Sequence, residues 1–185
     1  MYIINTPRLL LRPCCTNDAN DINELLSDPD TAWWADMPTF KDKTDALDFI
    51  LWGMFAGKVR QYSIVDRESD RFLGLLQAKS PELTGEAPDT IELGYLLTPE
   101  ARGNGYMTEA VSALRDSLFK DLSIDKLTLE ILPINGDSIG VATRCGFVYE
   151  DQAPEQKECR FLDNHLLNRY ILTRKRYEEV IVTAA

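Results

Sequence analysis

The chain has 185 residues, 44% of them hydrophobic and 27% charged, which suits a single domain, residues 1–185, with a real apolar core. Its formal net charge of −10 argues against nucleic acid as a partner, because phosphate binding needs a clustered basic surface. No run approaches the roughly 18 apolar residues of a membrane span, and Met1–Arg8 lacks the pattern of a secretory signal, so no membrane association and a cytoplasmic location are expected.

In chain order, Leu9–Arg12 within Tyr2–Arg12 reads as a first strand stopped by Pro13. Thr16 and Asp18 offer N-caps for a helix carrying Ile22, Leu25 and Leu26 on one face. Pro29 and Pro38 bracket a loop with Trp33, Trp34 and Met37. Thr44 caps a second helix, in which Leu47, Ile50, Leu51, Met54 and Phe55 recur at helical spacing and Trp52 is placed in the core. Val59–Val65 and Phe72–Ala78 form a hairpin, Ser80–Asp89 a loop, and Ile91–Leu97 a further strand. Gly105–Phe119 is a helix with the stripe Met107, Val111, Leu114 and Leu118. Lys126–Leu132 alternates as a strand, Asn135–Cys145 is a short helix closed by Gly146, and Glu158–Leu162 and Leu167–Thr173 are closing strands. The order predicts an α/β (α+β) domain around a mixed sheet.

Of the four cysteines, Cys14, Cys15, Cys145 and Cys159, none makes a Cys-x-x-Cys pair, and His165 is the only histidine. Reduced structural thiols and no metal are therefore expected. The acidic charge has two readings, solubility or attraction of a cationic substrate such as an amine.

The chemistry concentrates after the strand Ile91–Leu97, where Thr98-Pro99-Glu100-Ala101-Arg102-Gly103-Asn104-Gly105-Tyr106-Met107-Thr108 opens a helix. Gly103 and Gly105 allow a sharp turn and a close ligand approach. The free N–H groups of Asn104 to Thr108, aided by the helix dipole, then face an anion, with a pyrophosphate as the natural guest and Arg102 adding charge. A nucleoside-triphosphate loop would need Lys and Ser or Thr after its second glycine, where Tyr106 and Met107 stand. A dinucleotide fingerprint would need a small residue at Thr108.

This stretch resembles the pyrophosphate motif of the GNAT acetyltransferase superfamily, in particular the RimJ and RimL branch of ribosomal-protein N-terminal acetyltransferases. Thr6–Arg12, Glu92-Leu93-Gly94-Tyr95, Arg102–Ala110, Asn135-x-x-Ser138 and Arg144-x-Gly146-Phe147 match in type, spacing and order. The resemblance implies a mostly antiparallel sheet of about seven strands flanked by four helices, splayed between the family's fourth and fifth strands. It implies acetyl-CoA as co-substrate, its pantetheine arm on Leu96, Leu97 and Thr98 and on Asn135, its pyrophosphate on Arg102 to Thr108. The partner it implies is an amine acceptor, a peptide N-terminus or a small-molecule amine, acted on by a monomer or homodimer. Glu100 departs from the family's usual Gln or Arg, and Ala142 stands where many members place an acid tyrosine. The RimL-like branch uses a serine, to which Ser138 corresponds. At the branch's sixth-strand glutamate this chain has Arg160.

Attack of a neutral amine on a thioester needs orientation, an oxyanion donor and proton removal. Roughly a tenth of an α-amine is neutral at pH 7, against about 0.04% of a lysine amine. Glu92 is the first candidate base, with a sheet ion pair as its bland alternative, and Glu158 the second. Ser138 is a candidate acid or cofactor hydrogen bond, or simply a capping hydroxyl. A backbone N–H near Leu96 or Leu97 would be the oxyanion donor. Trp33, Trp34 and Tyr95 are candidate walls of the acceptor cleft. A non-catalytic acetyl-CoA-binding module is the rival from another class.

Overall fold

The computed structural model describes residues 3–121, 123–150 and 167–182. Its strands are β1 (Ile4–Asn5), β2 (Leu9–Pro13), β3 (Val59–Asp66), β4 (Phe72–Lys79), β5 (Thr90–Leu97), β6 (Lys126–Ile131), β7 (Val148–Tyr149) and β8 (Asn168–Thr173). All join one sheet in the order β1-β2-β3-β4-β5-β6-β8-β7. Every neighbouring pair is antiparallel except β5 and β6, joined by a crossover helix that makes a parallel pair possible. The sequence suggested about seven strands. The first of them breaks at Thr6-Pro7-Arg8, where Thr6 N–H reaches the Leu9 carbonyl and the chain folds back on itself. The expected strand Glu158–Leu162 lies outside the described residues, as do Glu158, Cys159, Arg160 and His165.

The four expected helices are α1 (Ala19–Ser27), α3 (Lys43–Phe55), α5 (Tyr106–Leu118) and α6 (Gly136–Arg144). Two further single-turn helices occupy segments read as loops, α2 (Pro29–Trp34) and α4 (Pro81–Thr84). Both start on a proline, whose fixed φ suits a first helical position, and the Asp28 carboxylate caps α2 through Thr31 N–H at 2.9 Å. Asp18, a foreseen cap, instead turns its carboxylate back to Arg12 at 2.6 and 2.8 Å and to Ser63 Oγ at 2.7 Å. A guanidinium brings a full positive charge to its hydrogen bonds with the carboxylate, which a capping N–H does not.

The core lies on both faces of the sheet. Met107, Ala110, Val111, Leu114 and Leu118 of α5 pack on Leu93, Leu127 and Leu129. At about 2 kcal/mol for each large side chain buried, this stripe anchors α5 and with it the loop that precedes it. On the other face Ile22, Leu25 and Leu26 of α1 and Ala46 and Ile50 of α3 pack on Phe72 and Leu75. Trp52, placed in the core from the sequence, is 46% exposed. Helix α3 is apolar on most sides, and the stripe it buries is Ala46, Ile50 and Gly53. A Cβ at Gly53 would overlap the Gln61 carboxamide, so this close approach sets the phase. No helix among the described residues is long and apolar enough to cross a membrane. Cys14, Cys15 and Cys145 are free thiols.

Strands β5 and β6 pair only from Thr90↔Lys126 to Leu93↔Leu129. From Gly94 onward β5 keeps its β4 partner and loses β6, and its burial falls from buried to intermediate. The sheet splays there.

Candidate active site

The loop after β5 is built to leave backbone donors free. Gly103 and Gly105 hold φ of 75° and 74°, a left-handed backbone that other residues adopt at a cost. Asn104 braces the loop from within, donating through Nδ2 to the carbonyls of Arg102 at 3.0 Å and Ala101 at 3.3 Å. Helix α5 begins at Tyr106 with no side-chain cap, and its first backbone bond runs from Glu109 N–H to the Gly105 carbonyl at 3.1 Å. Among hydrogen bonds between described residues, none uses a backbone N–H of residues 103–108. A cluster of unpaired amides at a helix N-terminus is suited to an anion.

The cations around this loop differ from the sequence expectation. Arg102 turns away, donating to the Leu97 carbonyl at 3.3 Å and to Thr31 Oγ1 of α2 at 3.0 Å. Arg8, from the turn between β1 and β2, takes its place, with its guanidinium carbon 4.6 Å from the centre of the Tyr106 ring. Arg144 of α6 donates to Thr108 Oγ1 at 3.2 Å on the other flank. Met107 is buried in the core.

The open edge of β5 follows from strand alternation. Thr98 N–H bonds the Leu73 carbonyl at 2.9 Å, so the backbone groups of Thr98, Leu96 and Gly94 point to β4. Those of Leu97 and Tyr95 point into the splay. Of the three residues expected to pair with pantetheine, Leu97 alone directs its N–H there. Across the gap, Asn135 caps α6, its Oδ1 accepting Ser138 N–H at 3.0 Å. The Tyr95 hydroxyl donates to the Ser138 carbonyl at 3.2 Å and lies 2.9 Å from Ser138 Oγ. Burial raises the Tyr95 phenol above its ordinary value, more than the Ser138 contact lowers it, so it stays protonated at neutral pH. The Tyr95 side chain, expected at the acceptor cleft, is tied to Ser138 in the first turn of α6. It shares a sheet face with Leu93, against α6, because a strand alternates and Glu92 is three residues away.

Glu92 is 7% exposed and points to the opposite face, its Oε1 accepting from Lys79 Nζ at 2.8 Å. Glu86, Glu92 and Glu130 bring carboxylate oxygens within 4.8 Å of one another. Arg169 pairs with Glu86 at 2.7 Å and Glu150 at 3.0 Å. Sequence reasoning missed Glu86 and Glu130, which come from a loop and from a different strand. Trp33 packs on Leu132, just past β6, while Thr31 of the same helix is tied to Arg102, just past β5. Helix α2 thus spans the mouth of the splay, with Trp34 42% exposed beside Trp33 at 4.6 Å, edge to face.

The family profile described as Acetyltransferase (GNAT) domain matches residues 8–148, from Arg8 to the start of β7. An uncharacterised N-acetyltransferase of Bacillus licheniformis, p20, is 27% identical over 81% of this chain and 84% of its own. Spermidine N-acetyltransferase of Vibrio cholerae, solved with CoA and spermine, superposes with a TM-score of 0.77 at 16% identity, over 93% of this chain and 99% of its own. The Salmonella typhimurium acetyltransferase that modifies the N-terminal serine of ribosomal protein L7/L12 gives 0.75 at 19% identity, over 93% and 99%. A parallel strand pair that splays beside a glycine loop of unpaired amides, in a chain matched over most of its length, identifies the protein as a member of the GNAT acetyltransferase family and an acyltransferase.

Proposed function

We propose that the protein moves an acetyl group from acetyl-CoA to a primary amine, with a peptide N-terminus as the first reading of the acceptor. The observation that carries this is the juxtaposition of the unpaired amides at residues 103–108 with the open β5 edge at Tyr95 and Leu97. The loop amides would hold the pyrophosphate and the open edge would hold pantetheine, as a peptide adds to a sheet. The bound co-substrate supplies the electrophilic thioester carbonyl. Leu97 N–H would donate to that carbonyl oxygen, and the Tyr95–Ser138 hydroxyl pair would return a proton to the departing sulfur. Glu92, across the sheet, would take the proton from the amine. Trp33 and Trp34 on α2 would form the acceptor wall.

A second reading of the acceptor rests on Glu86, Glu92 and Glu130, whose clustered carboxylates favour an acceptor with an additional positive charge. Coenzyme A release, followed with a thiol reagent over a panel of peptide N-termini, polyamines and amino sugars, separates the two. Turnover with peptides alone supports the first, with polyamines alone the second. CoA binding without turnover on any amine would leave a non-catalytic module.

Asn135 has both a structural and a ligand role to separate. Asn135→Ala removes the α6 cap and should cost about 1 kcal/mol of stability. Asn135→Asp keeps the capping oxygen and loses the Nδ2 donor that would face pantetheine. It should melt near the wild-type temperature while its KM for acetyl-CoA rises several-fold. A normal KM in Asn135→Asp would reduce Asn135 to a helix cap.

A further inference from the structure

We infer that Arg8 is a positioning residue for the cofactor: it locks the Gly103–Gly105 loop in the shape that presents its amides, and it neutralises Glu109 at the point where phosphates would sit. The inference rests on reading that loop as the pyrophosphate cradle.

Contacts with the loop and with the first turn of α5 support it. Glu109, in the first turn of α5, accepts from Arg8 Nε at 2.6 Å, Arg8 N–H at 2.9 Å and Thr6 Oγ1 at 2.6 Å. Arg8 Nη1 donates to the Asn104 carbonyl, between the two glycines, at 2.9 Å. The guanidinium lies over Tyr106, the first residue of α5. Its Nη2 is 3.6 Å from where a Cβ on Gly105 would stand, so the cation borders the outward side of the loop. One side chain thus touches the middle of the loop, its end and the first turn of the helix. The strand turn Thr6–Leu9 that carries it is itself closed by Thr6 N–H to the Leu9 carbonyl at 2.9 Å.

The charge arrangement adds a reason. A carboxylate near a helix N-terminus is favourable by itself, but there it opposes an incoming anion of the same sign. Burial pushes the Glu109 carboxyl up, and the hydrogen bonds of Thr6 and Arg8 together with the Arg8 charge outweigh this and hold it below the ordinary carboxylate range. Glu109 is therefore ionised at neutral pH, and Arg8 is the cation paired with it. The Arg8 side chain is 47% exposed and Glu109 17%, so the face turned outward is the cationic one. Arg102, the cation that the sequence places at the loop, is engaged with Thr31 and Leu97.

The test compares Arg8→Ala and Arg8→Lys with wild type in three measurements. Calorimetry should show CoA bound about ten- to a hundredfold more weakly by Arg8→Ala, the loss of charge-assisted bonds. The ratio of kcat/KM for acetyl-CoA to that for acetyl-pantetheine, which lacks the phosphates, should fall by a similar factor. Without any ligand, amide hydrogen exchange across residues 103–109 should accelerate. Arg8→Lys keeps the charge and loses the fork that reaches Glu109 and Asn104 together, so it should recover only part of the affinity. CoA affinity within about twofold of wild type in folded Arg8→Ala would overturn the inference, for any true contributor of this kind is worth more. An equal fall for both donors would overturn it too, as a general structural effect. If Arg8→Ala does not fold, the same ratio and exchange in Arg8→Lys decide, and wild-type values there overturn it. Gly105→Glu, measured in parallel, isolates the underlying reading. If that variant binds CoA normally the cradle itself is wrong, whereas loss in Gly105→Glu with normal Arg8 variants removes only the role of Arg8.

Discussion

Gly105→Glu should abolish coenzyme A binding, at least a hundredfold, while the chain stays folded. The residue sits at φ 74° in the left-handed region, so any side chain there costs roughly 1–2 kcal/mol in backbone strain. That is less than the roughly 5–15 kcal/mol by which a typical domain is stable, so folding should survive it. The added carboxylate has a stronger effect. Its Cβ would stand 3.6 Å from Arg8 Nη2, and an anion there meets both a guanidinium and the unpaired amides at the start of α5. The mutant would carry its own substitute for a phosphate in the cradle. Gly105→Ala supplies the control, because it brings the same strain without the charge, and CoA affinity should drop far less. Calorimetry on folded Gly105→Glu that returns wild-type affinity would remove this loop from the binding site.

Glu92→Gln carries the second large effect, a fall in rate of about 10²–10⁴ where the acceptor amine is mostly charged. Glutamine keeps the shape and an oxygen to accept from Lys79, now 2.8 Å away, so the change isolates basicity. If Glu92 removes the amine's proton, the deficit must shrink as pH rises toward the amine's own pKa, since solvent then supplies the neutral form. With an α-amine it should fade near pH 8, and with a lysine-like amine it should persist to about pH 10. The rate profile of wild type and variant on one acceptor therefore reports base and acceptor class together. A deficit constant across pH would make Glu92 a partner of Lys79 that shapes the sheet, with Glu158 the next candidate to test.

Much of this protein is legible in the sequence because its signals are local. The stripe Met107, Val111, Leu114 and Leu118 specifies α5, and the alternation Leu127, Leu129, Ile131 specifies β6, since apolar residues repeat with the period of each element. Gly103 and Gly105 announce a left-handed loop because glycine alone takes that backbone freely. Alternation also separates Tyr95 from Glu92, a distinction already present in their spacing. Trp52 shows where local pattern fails. Helix α3 offers apolar residues on most faces, and tertiary packing, with Gln61 against Gly53 and Ala46 and Ile50 in the core, chooses among them.

The site's charges belong to the tertiary structure. Arg8 and Glu109 are 101 positions apart, and Arg102 and Thr31 are 71 apart. No periodicity connects such pairs, and a guanidinium on a long side chain can reach any of several acceptors until packing fixes the backbone on both sides. The Glu86, Glu92 and Glu130 cluster comes from a loop and two strands that adjoin only because a crossover through α5 brings β6 parallel to β5. Sequence by itself determined the family, the loop and the elements that carry it. Which cation guards that loop, which backbone groups open into the splay and which face each side chain takes were decided by packing, because electrostatic partners are chosen by distance in space.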